Sequence, residues 1–311
     1  MRKPSKRVAR PEDSGRPLTS SSLRRHAAAV TTLLGLACGP VSTGGGPGCN
    51  PSLTAVRLAD EVQEASGIAV SLRHAGIYWT HNDAGSVLFA VDGTGAVVAR
   101  FPVRPGLRDW EDVAVAGCPQ GGSCLYLADL GDNYEERTLG QILRVPEPDP
   151  SAPDTLRPEV FPVRLPEGAR DIEAFLVLPG ERVLAVTKGR NHPVTVYRYP
   201  GALRPDTVTL EEVQRLSDGP RILPRQVTGG AVSPRGGLVA LRTYEAVQFY
   251  RVAADTLVPV EGGLVNLRPL REAQGEGIGI GLDGSVVLAS EGGPAGAPGS
   301  LSFMRCQIDG V

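Results

Sequence analysis

Short apolar runs that alternate with polar or small residues at a period of two follow one another from residue 53 to residue 305, and no long stretch has the spacing of an amphipathic helix. The first group predicts strands at 67–70, 76–80, 87–91 and 96–101. They are broken at Asn82-Asp83-Ala84-Gly85 and Asp92-Gly93-Thr94-Gly95, where Gly and Asn accept the positive φ of a tight hairpin. Four strands joined by hairpins make one meandering sheet. Further groups fall at 111–115, 125–128, 142–145 and 160–164, then at 172–177, 183–187, 194–198 and 208–210, then at 227–232, 238–242, 247–251 and 257–260. A last group, at 277–280, 286–289 and 301–305, is one strand short. The unassigned run at 53–58 can supply that strand, although residues 53–66 also admit an amphipathic helix.

Each group opens on an oxygen-bearing residue followed by small or apolar ones. These residues are Ser66, Glu111, Glu173, Thr228 and Glu276, at intervals of 45, 62, 55 and 48. A unit of four short strands at this period is the mark of a β-propeller, whose blades each turn their first strand toward a central channel. The expected fold is therefore all-β: a single five-bladed β-propeller over residues 52–311, closed by the N-terminal strand so that no sheet edge is left open. A Pro-rich excursion at 146–158 accounts for the longest interval.

Composition agrees, since 39 Gly and 27 Pro in 311 residues suit many short strands and turns. The net charge of -2 conceals a division: residues 1–37 hold eight of the 32 basic residues and two of the 34 acids, which leaves an acidic body whose sole lysine is Lys188. Such a body excludes a nucleic-acid partner. Arg24 and Arg25, the apolar stretch after them and the small residues up to Ala37 form a signal peptide over residues 1–37, too short in its apolar part to span a bilayer as a mature helix. Leu36-Ala37-Cys38, followed by Gly, Ser and Thr, resembles a bacterial lipoprotein processing site. That resemblance implies a lipidated Cys38 and an exported protein, periplasmic or at the cell surface, that meets the membrane only through its lipid; the Gly, Ser, Thr and Pro content marks 38–51 as a flexible tether, and a monomer is expected. Four cysteines remain, an even number suited to disulfides. Cys118 and Cys124 flank a Gly-rich turn and can bridge a hairpin, which leaves Cys49 to pair with Cys306 across the ring closure.

In a meander the second strand runs antiparallel to the first, so its end lies beside the start of its neighbour. His81, Asn82, Asp83, Asp129, Lys188, Arg242 and Glu291 are thus expected to crowd one channel mouth with the ring of first-strand residues, where they would form the binding surface. His81 reads as an exposed turn histidine, and Trp79 and Trp110 as packing residues. Three glutamates converging on one axis repel one another and are costly to bury unpaired. A Ca2+ ion held by Glu111, Glu173 and Glu276, with Ser66 and Thr228, removes that cost. Lys188 or Arg242 reaching inward is the metal-free alternative.

The order Ser, Glu, Glu, Thr, Glu resembles the calcium-activated apyrases, five-bladed propellers that hold one Ca2+ in the channel and have Ser where this chain has Thr228. The resemblance implies the architecture and the central metal, and it supplies an alternative function, calcium-dependent hydrolysis of nucleotide phosphates. The runs Asp109-Trp110-Glu111-Asp112, Asp129-Leu130-Gly131-Asp132-Asn133 and Gln274-Gly275-Glu276-Gly277 are more directly similar to a family of uncharacterised secreted bacterial propeller lipoproteins. The expected role is accordingly a propeller that binds a ligand or partner at its mouth around a structural Ca2+. No catalytic residue is assigned, because neither a nucleophile elbow nor a His-Glu-x-x-His pair occurs. Gly279, Gly281 and Gly284 spell a dinucleotide fingerprint, but a strand follows them, so no helix N-terminus awaits a phosphate.

Overall fold

The computed structural model describes residues 48–307, apart from 53 and 294–296. The expected signal peptide, Cys38 and most of the expected tether lie outside the described residues. Strands β1 (Cys49–Pro51) and β2 (Val56–Arg57) come first. Blade one is β3 (Ala65–Val70), β4 (Ile77–Asn82), β5 (Val87–Asp92) and β6 (Val97–Pro102). Blade two is β7 (Asp112–Gly117), β8 (Ser123–Asp129), β9 (Gly140–Pro146) and β10 (Glu159–Arg164). Blade three is β11 (Ile172–Leu178), β12 (Arg182–Thr187), β13 (Thr195–Arg198) and, after a short β14 (Val208–Thr209), β15 (Glu211–Arg215). Blade four is β16 (Val227–Val232), β17 (Val239–Thr243), β18 (Ala246–Ala253) and β19 (Thr256–Asn266). Blade five is β20 (Gln274–Ile280), β21 (Ser285–Glu291) and β22 (Ser300–Cys306). The fold is the expected five-bladed propeller, and among the described residues its helical content is a single 3-10 turn, Arg268–Leu270.

Both N-terminal strands lie antiparallel on β22, with Cys49 opposite Cys306 and Val56 opposite Leu301. The closing strand is therefore split, rather than the continuous run at 53–58, and pairing begins inside the segment expected as tether. The helical alternative for residues 53–66 is not adopted: Leu58 and Val62 instead turn into the seam between blades five and one. Cys49 is bonded to Cys306 and Cys118 to Cys124, the second pair closing the β7–β8 hairpin. One strand moves between blades. The run at 208–210, expected as the outer strand of blade three, lies parallel to β10 of blade two, with Val208 opposite Val163, and β15 takes its place. Val208 and Leu210 gain burial there against blade two's outer face.

The core is distributed over five seams, one between each pair of neighbouring blades. Trp79 and Phe101 of blade one meet Leu125 and Leu127 of blade two. Tyr126 and Ile142 meet Phe175 and Tyr197, Leu176 and Val196 meet Val239 and Leu241, Phe249 meets Ile278 and Met304, and Ile68 and Phe89 meet Val287 and Leu301. Each such side chain, fully buried, contributes roughly 1.5–3 kcal/mol. Toward the axis the inner strands come too close for side chains at some positions. A Cβ on Gly67 would lie 2.7 Å from the Val113 nitrogen, one on Gly229 2.6 Å from the Glu276 carbonyl oxygen, and one on Gly277 2.4 Å from that of Ser66.

Candidate metal centre at the channel mouth

The ring residues reach the axis through a shared defect. Strand pairing slips beside four of them, so that Ser66 and Gly67 face His81 alone, Glu173 and Thr228 are each an extra residue, and Glu276 and Gly277 face Ala289 alone. A bulge of this kind re-aims a side chain and ends regular pairing. Glu111 stands just ahead of β7, its N–H donated to the Ala128 carbonyl. Four residues further along, the inner strands carry Val70, Val115, Val177, Val232 and Ile280, which line the far half of the channel and leave a cavity of about 30 Å3.

At the mouth, carboxylate oxygens of Glu111, Asp171 and Glu173 lie within 4.8 Å of one another, all three residues buried. A second trio, Asp83, Asp109 and Glu111, meets the same criterion and shares Glu111. The Ser66 hydroxyl is 3.0 Å from the Glu111 carbonyl oxygen and 3.3 Å from its Oε2. Thr228 Oγ1 donates to the carbonyls of Gly275 or Glu276, at 3.0 and 3.3 Å. Glu276 accepts from the Gln274 side chain at 2.9 Å and stands outside both trios. Lys188 reaches inward as the metal-free alternative requires: its ammonium pairs with Glu173 and lies 3.9 Å from Asp171 Oδ2.

That single lysine faces many acids. Burial works against its charge, but Glu173, Tyr244 and Asp171 outweigh burial and hold it protonated above the usual lysine range. Burial, then the charges of Glu173 and Asp83, push the Glu111 carboxyl well above its usual range. Burial likewise raises Glu276 and Glu291 to about 7, with Glu276 and Asp83 adding to the effect on Glu291. Asp83 is raised by burial and by Glu64. Charge is in excess and one ligand atom is unspent: Asp171 is 4% exposed, its Oδ1 accepts the Asp132 N–H at 3.0 Å, and its Oδ2 has no hydrogen-bond partner. The donor set is all oxygen, as a hard cation such as Ca2+ prefers.

Several residues expected at the mouth have other work. His81 is fully buried in β4 rather than exposed in a turn, because the bulge opposite extends the strand past residue 80. Its ring stacks on Trp110 at 3.9 Å between centroids, its Nε2 accepts the Gly67 N–H, and its Nδ1 faces the Asn82 carbonyl. Burial lowers its pKa to about 4, so it is neutral and carries its proton on Nδ1. Asn82 holds the Glu61 carbonyl and the Glu64 N–H. Asp129 is committed to Arg137 at 3.0 Å, Gln141 and the Asp109 N–H. Arg242 is sealed between blades four and five, paired with Glu272 and donating to the carbonyls of Gly277 and Ala289. Asp83 and Glu291, partly exposed, stay at the mouth.

Asp109 and Asp171 belong to the cluster and were not singled out from the sequence. The signal was present. Two residues ahead of the ring stand Glu64, Asp109, Asp171, Gln226 and Gln274, an acid or an amide in every blade. A period of two sets them on the face of the ring itself. Asp112 was missed as well. Fully buried one residue past Glu111, it accepts the N–H of Phe175 at 2.9 Å and of Gly230 at 3.2 Å on one oxygen and its own Val113 N–H on the other, so it ties together the inner strands of blades two, three and four.

No protein-family model matches the sequence, and no curated protein matches it. Among solved structures, the PQQ-bound aldose sugar dehydrogenase of Streptomyces coelicolor superposes with a TM-score of 0.50 at 11% identity, over 83% of this chain and 98% of that one. The likeness is one of fold. The soluble aldose sugar dehydrogenase of Escherichia coli, in its apo form, gives 0.47 at 11% identity over 82% and 99% of the two chains. A gluconolactonase of Xanthomonas campestris gives 0.45 at 12% identity over 86% and 99%. At these identities the β-propeller is what is shared, and the chemistry has to be read from this chain's own residues.

Proposed function

We propose that this chain is an exported, lipid-tethered propeller that holds a divalent cation in its channel mouth and uses that mouth to bind a ligand or protein partner. Glu111, Asp171 and Glu173 are its ligands, with Ser66, Thr228 and Glu276 around them, and the oxygen donor set favours Ca2+. The reading rests on the buried Asp171 Oδ2, which accepts no hydrogen bond and has only the longer ion pairs of Arg190 at 3.6 Å and Lys188 at 3.9 Å, beside two buried glutamates. A cation there supplies positive charge to the cluster and has a structural role: the Ser66 and Thr228 hydroxyls beside it donate to backbone carbonyls, with no general base paired to them as a nucleophile needs. Export is supported by the signal sequence, by Cys38 and by two disulfides, which persist in oxidising compartments. No helix among the described residues is long and apolar enough to cross a membrane. The binding face is supported by the loop after β8, where Asn133 holds Arg190 beside Asp171 and leaves Tyr134 86% exposed.

Phosphohydrolysis is the weaker reading. Arg242 is walled in and Lys188 is engaged by Glu173, so neither is available to grip a phosphate. The deciding experiment is metal analysis and thermal unfolding of the purified protein with Ca2+, with Mg2+ and with chelator. Ca2+ at a hundred times its Kd stabilises by about 2.7 kcal/mol, a rise of roughly 5 °C or more. Glu173→Gln and Asp171→Asn should each remove most of that rise. Protein free of metal, with a melting curve indifferent to calcium, would leave Lys188 and Arg190 as the counter-ions and refute the proposal. Calcium-dependent phosphate release from a nucleotide would promote the hydrolase.

A further inference from the structure

Between blades three and four lies a cavity of about 360 Å3 that none of the acidic-cluster residues lines. Its floor is apolar: Val194 and Leu216 on one side, Val227 and Leu241 on the other. Leu264, 65% exposed, forms one lip, and Ile222 and Leu223 beside Arg221 are 78% and 63% exposed. Two arginines, Arg221 and Arg225, line the opening. Neither guanidinium has an ion-pair or hydrogen-bond partner among the described residues, whereas Arg144, Arg198 and Arg242 are all paired. The one acid in the lining, Glu245, is already matched by Arg268. Tyr250 adds a hydroxyl without a partner among the described residues; burial raises its pKa, and the charge of nearby Arg221 offsets part of that rise.

We infer that this cavity is a binding site for a small amphipathic carboxylate, a single anionic head on an unbranched or aromatic apolar body. Its volume falls in the range of ligand sites, and its form, an apolar basin with a few convergent polar groups, is theirs too. The head meets Arg221 and Arg225, whose planar forks match a carboxylate in two-point contact, with the Tyr250 hydroxyl beside them. The body displaces water from the leucine and valine floor. The site is independent of the cation at the mouth and stands or falls without it.

Calorimetric titration of the full chain with octanoate, octanol and octylammonium tests it. Octanoate should bind one to one, roughly tenfold or more tighter than octanol, and octylammonium should not bind, because a charged hydrogen bond in a partly desolvated site is worth at least that factor. Arg221→Gln with Arg225→Gln, both on the rim, should bring octanoate down to the level of octanol without changing the circular dichroism spectrum. Leu264→Asp, which sets a like charge on the exposed lip, should weaken octanoate by a similar factor. Equal binding of octanoate and octanol, indifference to the paired arginine variant, or no saturable octanoate binding would each overturn the assignment.

Discussion

Asp112 shows how much one side chain can carry in a ring of blades. Its carboxylate satisfies three backbone N–H groups, two of them in other blades. Asp112→Ala leaves those donors buried without acceptors, and the loss should be about 3–5 kcal/mol, read as a lower denaturant midpoint. His81 offers a pH test. Its pKa falls from 6.5 to about 4 on folding, so between those values the unfolded chain takes up a proton that the native state refuses, and stability falls as pH drops through that window. The expected contribution is roughly 3 kcal/mol at most. Glu276 and Glu291, raised to about 7, have the opposite slope over an overlapping range. The measurement is therefore a difference: subtracting the stability curve of His81→Gln from that of the wild type should leave a rise from pH 4 to 6.5 that is flat on either side. At this scale the sequence was half legible. Ser66, Glu111, Glu173, Thr228 and Glu276 stood out because each opens a strand, while Asp171 and Asp112, two residues before and one after such an opening, have the spelling of ordinary turn carboxylates. His81 was misjudged because a bulge adds a residue that no period-two pattern records.

Among the elements, the inner strands are the most constrained, since their backbones approach one another almost without side chains between. Gly67→Ala would set a methyl group 2.7 Å from both the Val113 nitrogen and His81 Nε2, where neither can yield easily. A cost of roughly 1–3 kcal/mol is expected, more if the seam between blades one and two opens. Gly237→Ala is the control. Nothing lies within 4 Å of its Cβ position and its backbone is ordinary, so its melting temperature should match the wild type within error. Strand existence was legible almost throughout, because alternation survives wherever one face of a sheet is buried. Strand membership was less so. The parallel pairing of β14 with β10 depends on where the chain returns after β13, and that is decided by the burial of Val208 and Leu210 rather than by their alternation.

At the scale of the molecule, ring closure rests on two short strands and one disulfide. Cys49 and Cys306 are 257 residues apart, against six for Cys118 and Cys124. By loop entropy the first bond stabilises by roughly 5 kcal/mol and the second by roughly 2. Replacing Cys49 and Cys306 by Ser should thus lower the urea midpoint more than replacing Cys118 and Cys124. The reverse order would mean that β1 and β2 close the ring without their staple. The five-bladed count was legible because length, strand groups and the missing outer strand of the last group agreed on one closed ring.

The valine and isoleucine collar below the mouth has a consequence for traffic. Val70, Val115, Val177, Val232 and Ile280 leave only about 30 Å3 between them in the far half, so below the mouth the channel is narrow and apolar. That collar offers a cation no oxygen ligand, so the mouth is its expected route of exchange. A partner seated over the mouth would then work as a cork, slowing escape of the cation without touching any of its ligands, and the exchange rate of radiolabelled calcium would report that partner's arrival.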